Sequence, residues 1–115
     1  MKDYIVPYII GKHEGWWAGI DIYNHNPDEH TISISIYQHN NGKRSGVFDI
    51  KIDSFGHYLI MPDKINDYIK NVTENEGRST VIVRGPENLM ITPFQGSDSH
   101  GFGILPVFES TSIKN

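Results

Sequence analysis

The sequence predicts an all-β fold, a two-sheet antiparallel β-sandwich of about seven or eight strands with one short helix. Three observations carry that expectation. The 115 residues include seventeen Ile and six Val against one Ala. β-Branched side chains pack well on a pleated sheet and lose rotamer freedom in a helix. Thr31-Ile32-Ser33-Ile34-Ser35-Ile36-Tyr37 alternates apolar and polar without a break, which is the period of a half-buried strand. Turn residues recur at spacings of roughly 8–12 residues, as they do in sandwiches. A chain of this length builds one core, so residues 1–115 read as a single domain.

The first strand is expected over residues 3–10, and Pro7 inside it argues for a sheet edge, where a missing amide donor is tolerated. Gly11-Lys12-His13-Glu14-Gly15 connects it to Trp16-Trp17-Ala18-Gly19-Ile20-Asp21-Ile22-Tyr23-Asn24, which reads as the central strand. Side chains alternate across a strand, so Trp16, Ala18, Ile20 and Ile22 share the core face, and Trp17, Gly19, Asp21 and Tyr23 share the other. The turn 24–29 carries Pro27, and a hairpin into the alternating strand 31–37 is expected after it.

Asn40-Asn41-Gly42-Lys43 holds an Asn-Gly pair, which tolerates positive φ and favours a tight reversal. In the next strand, 47–53, Phe48, Ile50 and Ile52 face the core while Asp49 and Lys51 face water. Residues 56–61 form a further short strand. Over 62–72 the period changes: Ile65, Tyr68, Ile69 and Val72 fall at i, i+3, i+4 and i+7, the stripe of a short helix capping one end of the sandwich. Strand 78–84 ends at Gly85-Pro86, with 88–94 as its expected hairpin partner. Residues 95–101 read as a polar, glycine-rich loop, 102–108 closes the sheet, and the tail from Glu109 frays. The expected core is Trp16, Ile20, Ile22, Ile32, Ile34, Ile36, Phe48, Ile50 and Ile52.

Charge and composition exclude some functions. A net charge of −4 with a pI near 5.8 does not supply the basic stripe by which proteins grip phosphate backbones, so no nucleic-acid partner is expected. The chain has no cysteine, hence neither a disulfide framework nor a thiolate metal site, as suits the cytoplasm. The apolar stretch 4–10 is interrupted by Pro7 and followed by Gly11, too short for a signal-peptide core, and no apolar run reaches the roughly 20 residues of a membrane span. Cytoplasmic residence is the expectation.

Candidate chemistry is sparse. His13, His25, His30, His39, His57 and His100 are scattered, and even His25 and His30 lack the spacing that converges two imidazoles on a metal. Ser97-Asp98-Ser99-His100 contains the residue types of a nucleophilic triad, but as sequence neighbours in one loop, whereas a triad needs an oriented base and an oxyanion hole. His13-Glu14 opens like a zincin motif without its second histidine. The acidic residues make no carboxylate pair on one strand face. No catalytic centre, no metal and no cofactor is expected. Sandwich loops cluster at the ends of the sheets, so His13, Glu14, Ser97, Asp98 and His100 are the candidate ligand loop, against the plainer reading of ordinary loop polars.

The aromatic residues are the better lead. Trp17 and Tyr23 lie outward on one strand and Tyr37 outward on the next, so one exposed platform of three rings is expected. Such a platform serves assembly, sugar stacking or a loop-covered second core.

Ile20-Asp21-Ile22-Tyr23-Asn24, the turn holding Pro27-Asp28-Glu29, and Ile32-Ser33-Ile34-Ser35-Ile36-Tyr37 resemble the paired strands of the sensory rhodopsin transducer family of small bacterial proteins. Downstream, Gly46-Val47-Phe48-Asp49-Ile50 and Ile65-Asn66-Asp67 fall in similar order, and Ser79-Thr80-Val81-Ile82-Val83, Pro86 and Leu89-Met90-Ile91 resemble that family's last hairpin. The likeness covers roughly residues 20–98, and the amino-terminal fifth departs from it. The resemblance implies a cytoplasmic, non-enzymatic β-sandwich assembled as a homo-oligomer, a tetramer, that binds a signalling protein or a small molecule. It does not imply a rhodopsin partner. Two classes of function follow: an oligomeric binding or signalling adaptor, and a structural or carbohydrate-binding module of a phage or cell-surface assembly.

Overall fold

The computed structural model describes residues 1–10, 15–39, 44–60, 78–99 and 101–111. Nine strands form among them: β1 (Lys2–Ile10), β2 (Trp16–Asn24), β3 (His30–Gln38), β4 (Arg44–Ile52), β5 (His57–Ile60), β6 (Arg78–Gly85), β7 (Leu89–Ser97), β8 (Gly101–Ile104) and β9 (Phe108–Thr111). They make two antiparallel sheets packed face to face, one in the order β4-β3-β6-β1-β9 and the other β5-β2-β7-β8. The chain is an all-β sandwich. The helix expected over 62–72 and the Asn-Gly reversal at 40–43 lie outside the described residues.

The core is built by the alternation. Ile20 and Ile22 of β2 and Ile32, Ile34 and Ile36 of β3 are fully buried, as are Val6, Ile9, Ile52, Ile60, Val81 and Val83 from the strands around them. Each such side chain contributes about 1.5–3 kcal/mol through removal from water. Trp16 and Phe48, expected inside, are half-buried and pack against the rim of this cluster. Asp3 is a buried exception, held by the Arg84 guanidinium with Nε 2.8 Å from Oδ1 and Nη2 3.3 Å from Oδ2. That carboxylate holds the Arg84 guanidinium above its ordinary pKa.

Several local expectations are corrected by the topology. β2 and β3 form no hairpin: they belong to different sheets, and the turn between them crosses the sandwich. The same holds for β6 and β7, since β6 pairs with β1 and β3 while β7 pairs with β2 and β8. Period-two alternation is identical whether a strand's successor lies beside it or across the core, so the pattern cannot choose. The crossings are tied by hydrogen bonds. Tyr4 sends its hydroxyl to the Pro86 carbonyl at 2.8 Å and accepts the Leu89 amide at 3.2 Å. Burial pushes its phenol pKa up.

Pro7 does not mark an edge strand. β1 is flanked by β6 and, along Lys2–Ile5, by β9. Pro7 falls beyond the reach of β9 and inside the register shift between Val6 and Ile9, where no ladder donor is required. Its carbonyl accepts from the Thr80 hydroxyl at 2.8 Å and lies 2.9 Å from His39 Nε2. The expected loop 95–101 is largely strand as well, because Gln95, Gly96 and Ser97 continue β7 and Gly101 begins β8. Residues 102–108 do not form one closing strand: β8 and β9 lie in different sheets, and the expected fraying tail pairs with β1 through Glu109, Ser110 and Thr111.

Candidate functional site

The register of the four-stranded sheet decides which side chains share its outer face. Trp17, Gly19, Asp21 and Tyr23 of β2 point away from the core, and the β7 residues directly opposite are Gly96, Phe94, Thr92 and Met90. β5 adds His57 and Leu59, and β8 adds Phe102 and Ile104. Phe102 and Ile104 are 62% and 61% exposed, and Leu59 and Met90 are open to solvent as well. Asp21 is the single carboxylate among these residues.

Ring clusters occupy both ends of this face. At one end Trp17 stacks on Phe102 with centroids 5.7 Å apart and planes inclined by 25°, and meets Phe94 edge-on at 6.1 Å. Glycine makes the room. A β-carbon on Gly96 would lie 2.6 Å from the Trp17 ring and 2.7 Å from the Gly101 carbonyl oxygen, and one on Gly19 would collide with the Phe94 ring. Each aromatic therefore lies across the glycine opposite it, a cross-strand pairing that covers the bare backbone and fixes the ring. Gly96→Ala is expected to destabilise the protein by about 1–3 kcal/mol, because the Gly101 carbonyl cannot retreat without loosening β7 from β8. Urea denaturation and the near-ultraviolet tryptophan signal check this; an unchanged midpoint with an unchanged signal would contradict it.

At the other end His57 Nδ1 lies 2.9 Å from Asp21 Oδ2, and the imidazole stacks on Tyr23 with centroids 4.7 Å apart. The Tyr23 hydroxyl lies 3.0 Å from His25 Nδ1, and His25 meets Phe55 edge-on at 5.7 Å. With Nδ1–H donated to Asp21, His57 keeps Nε2 free to accept a hydrogen bond or a proton. Its side chain is 62% exposed and lies flat on Tyr23 on an open face. Among the described residues no three metal-ligating side chains converge.

The structure brings only part of the expected platform together. Trp17 and Tyr23 share this face at its two ends, whereas Tyr37 lies on β3 in the five-stranded sheet, beside Thr80. The three rings do not form one platform, because the turn after β2 crosses between sheets. Of the candidate ligand loop, Ser97 is buried as the last residue of β7 and Asp98 is exposed in the turn after it. His13, Glu14 and His100 lie outside the described residues. A cleft of about 500 Å³ opens elsewhere, at the seam lined by Tyr4, Leu89, Met90, Val107, Phe108 and Glu109. Its polar groups are engaged, Tyr4 as above and Glu109 with Lys2 at 3.5 Å.

Sequence reasoning missed Phe94, Phe102, Ile104, Leu59 and Met90 as members of the face, and the Asp21–His57 and Tyr23–His25 contacts. Alternation within 89–97 and 101–104 carried part of the signal. Which strands flank β2 did not appear in it. No family model, no curated protein and no solved structure matches the chain.

Proposed function

We propose that the chain is a non-enzymatic, homo-oligomeric β-sandwich acting as a binding or signalling adaptor, and that copies associate through the outer face of the four-stranded sheet. The observation that supports this reading is the ring clustering on the outer face of the four-stranded sheet, where Trp17, Phe94 and Phe102 contact one another. The five-stranded sheet turns out Thr31, Ser33, Ser35, Asp49, Lys51 and the Asp3–Arg84 pair beside Ile5, Ile82, Val47 and Phe108. The four-stranded sheet turns out those rings with Leu59, Met90 and Ile104 around the Asp21–His57 pair. Leu59, Met90 and Ile104 interleave with the rings, and such a mixture of aromatic, Met and aliphatic side chains suits the apolar core of a protein interface. The resemblance to the sensory rhodopsin transducer family agrees with self-association.

Light scattering tests it. The wild type is expected at a multiple of the 13.1 kDa chain mass, and Phe102→Asp combined with Ile104→Asp is expected to lower that mass, since burying unpaired carboxylates costs several kcal/mol. Both positions are exposed in the protomer, and circular dichroism checks that the variant keeps its fold. A monomeric wild type would refute the proposal. A glycan bound by a monomeric wild type and lost in the same variant would reassign the face to the carbohydrate-binding alternative.

A further inference from the structure

The outer face of the four-stranded sheet sets one ionisable pair among apolar side chains. Trp17, Phe94, Phe102, Ile104, Leu59 and Met90 carry no charge, and Asp21 on β2 is the carboxylate among them. His57 stands directly opposite Tyr23 on the neighbouring strand and reaches diagonally to Asp21, two residues along, where its Nδ1 lies 2.9 Å from Oδ2. The imidazole also rests on the Tyr23 ring, with centroids 4.7 Å apart, so it is held from two directions. Among the described residues, His25 lies on the far side of that ring system, 3.0 Å from the Tyr23 hydroxyl, and Asp53 is exposed between β4 and β5. β7, across β2 from His57, presents Met90 and Thr92, which do not ionise.

We propose that self-association through this face takes up a proton at His57, so that acid favours assembly and base releases it. This rests on the reading that the face joins copies, and names how that contact is regulated. In the protomer the Asp21 side chain is 29% exposed and that of His57 62%, so water solvates whichever charge the pair carries. Contact with a second copy removes that water. A neutral imidazole leaves the pair with one uncompensated negative charge, and burying such a charge is far costlier than burying a polar group. An imidazolium leaves the pair with no net charge and keeps the same Nδ1–H hydrogen bond, now with both partners ionised and stronger for it. Nε2 takes no part in the pair and needs a partner in either state, as an acceptor when neutral and as a donor when protonated. The two states therefore differ in net charge. A twofold contact doubles the effect, because an isologous interface receives the same pair from both copies. The associated state binds more protons than the free one, and linkage then requires association to strengthen as pH falls through the range in which histidine charges, about pH 8 to 5, and to weaken as it rises.

Light scattering over a dilution series at about pH 6 and about pH 8 tests the coupling. The wild type is expected to associate at least about tenfold more tightly at the lower pH, where the limit is about tenfold per proton taken up and per pH unit. His57→Gln keeps an N–H for Asp21 and takes up no proton, so it is expected to show the same mass at both pH values. Asp21→Asn leaves an imidazolium unpaired in the face and is expected to associate more tightly at the higher pH, the reverse of the wild type. His25→Asn removes the other imidazole on Tyr23 and is expected to keep the wild-type dependence. Circular dichroism at both pH values establishes that each protein is folded. A wild-type association that is equal at the two pH values or tighter at the higher one overturns the coupling and leaves the face contact standing. So does a folded His57→Gln or Asp21→Asn variant that keeps the wild-type dependence, or a folded His25→Asn variant that loses it. A wild type that is monomeric at both pH values throughout the series overturns the face contact and the coupling with it.

Discussion

Replacing Asn24 with leucine is expected to remove about 3–5 kcal/mol of folding stability, a large share of what a single domain possesses. Asn24 ends β2 and is fully buried. Its two Nδ2 hydrogens are shared among the backbone carbonyls of Asp28 at 2.9 Å, Ile52 at 3.2 Å and Asp53 at 3.1 Å. Its Oδ1 accepts from Asn26 Nδ2 at 2.8 Å, and Asn26 donates in turn to the Glu87 carbonyl at 2.9 Å. One side chain thus ties the β2–β3, β4–β5 and β6–β7 connections, which all cross between the sheets at this end. Leucine fills the same space and takes the side-chain donor from the Asp28 and Ile52 carbonyls, while the Asp53 carbonyl keeps the Gly56 amide at 2.9 Å. Each orphaned buried group costs about 1–3 kcal/mol. Asn24→Asp is the sharper comparison, because it keeps the shape while turning carboxylate oxygen toward carbonyl oxygen. Urea denaturation followed by tryptophan fluorescence measures both. A leucine variant within about 1 kcal/mol of wild type would show that the connections hold without the amide.

Ile34→Ala is expected to cost about 2–5 kcal/mol, through the lost transfer of the side chain and the cavity it leaves. Ile34 is 1% exposed at the middle of β3, opposite Phe48 on β4 and Val83 on β6. With a paired strand on either side and the second sheet above it, the site cannot collapse far. Ile34→Val is expected to cost about 0.5–1.5 kcal/mol. Ser33→Ala and Ser35→Ala, one residue away on the outer face, are expected to change stability by no more than about 0.5 kcal/mol. Thermal or chemical denaturation of the four variants checks the alternation itself, and a serine variant as damaging as Ile34→Ala would contradict the assignment of faces.

The site was legible to the extent that faces are. Trp17 and Tyr23 were placed outward from parity alone, and they are outward. The contacts that give the face its character were not legible, because each joins residues far apart in the chain: Trp17 with Phe102, Gly19 with Phe94, Asp21 with His57. No local pattern ranks those pairings above others of equal parity. Tyr37 shows the consequence. Its outward direction was correct, and its expected neighbours were wrong by a whole sheet.

What the sequence determined by itself is the class and the inside of the fold. β-Branched residues in strict alternation bury Ile20, Ile22, Ile32, Ile34, Ile36, Ile50 and Ile52 whichever way the strands are ordered, since side-chain direction in a strand is set by backbone geometry within two residues. Tertiary structure alone decided strand order, the crossing of β2 to β3 and of β6 to β7 between sheets, and the gathering of an aromatic face on one side of the sandwich. Those choices depend on which apolar faces cover one another and on buried ties such as Asn24 and Tyr4, whose partners lie up to 85 residues away. Short-range periodicity carries no term for contacts of that span, so the partner of a strand is settled only when the two sheets close on a common core.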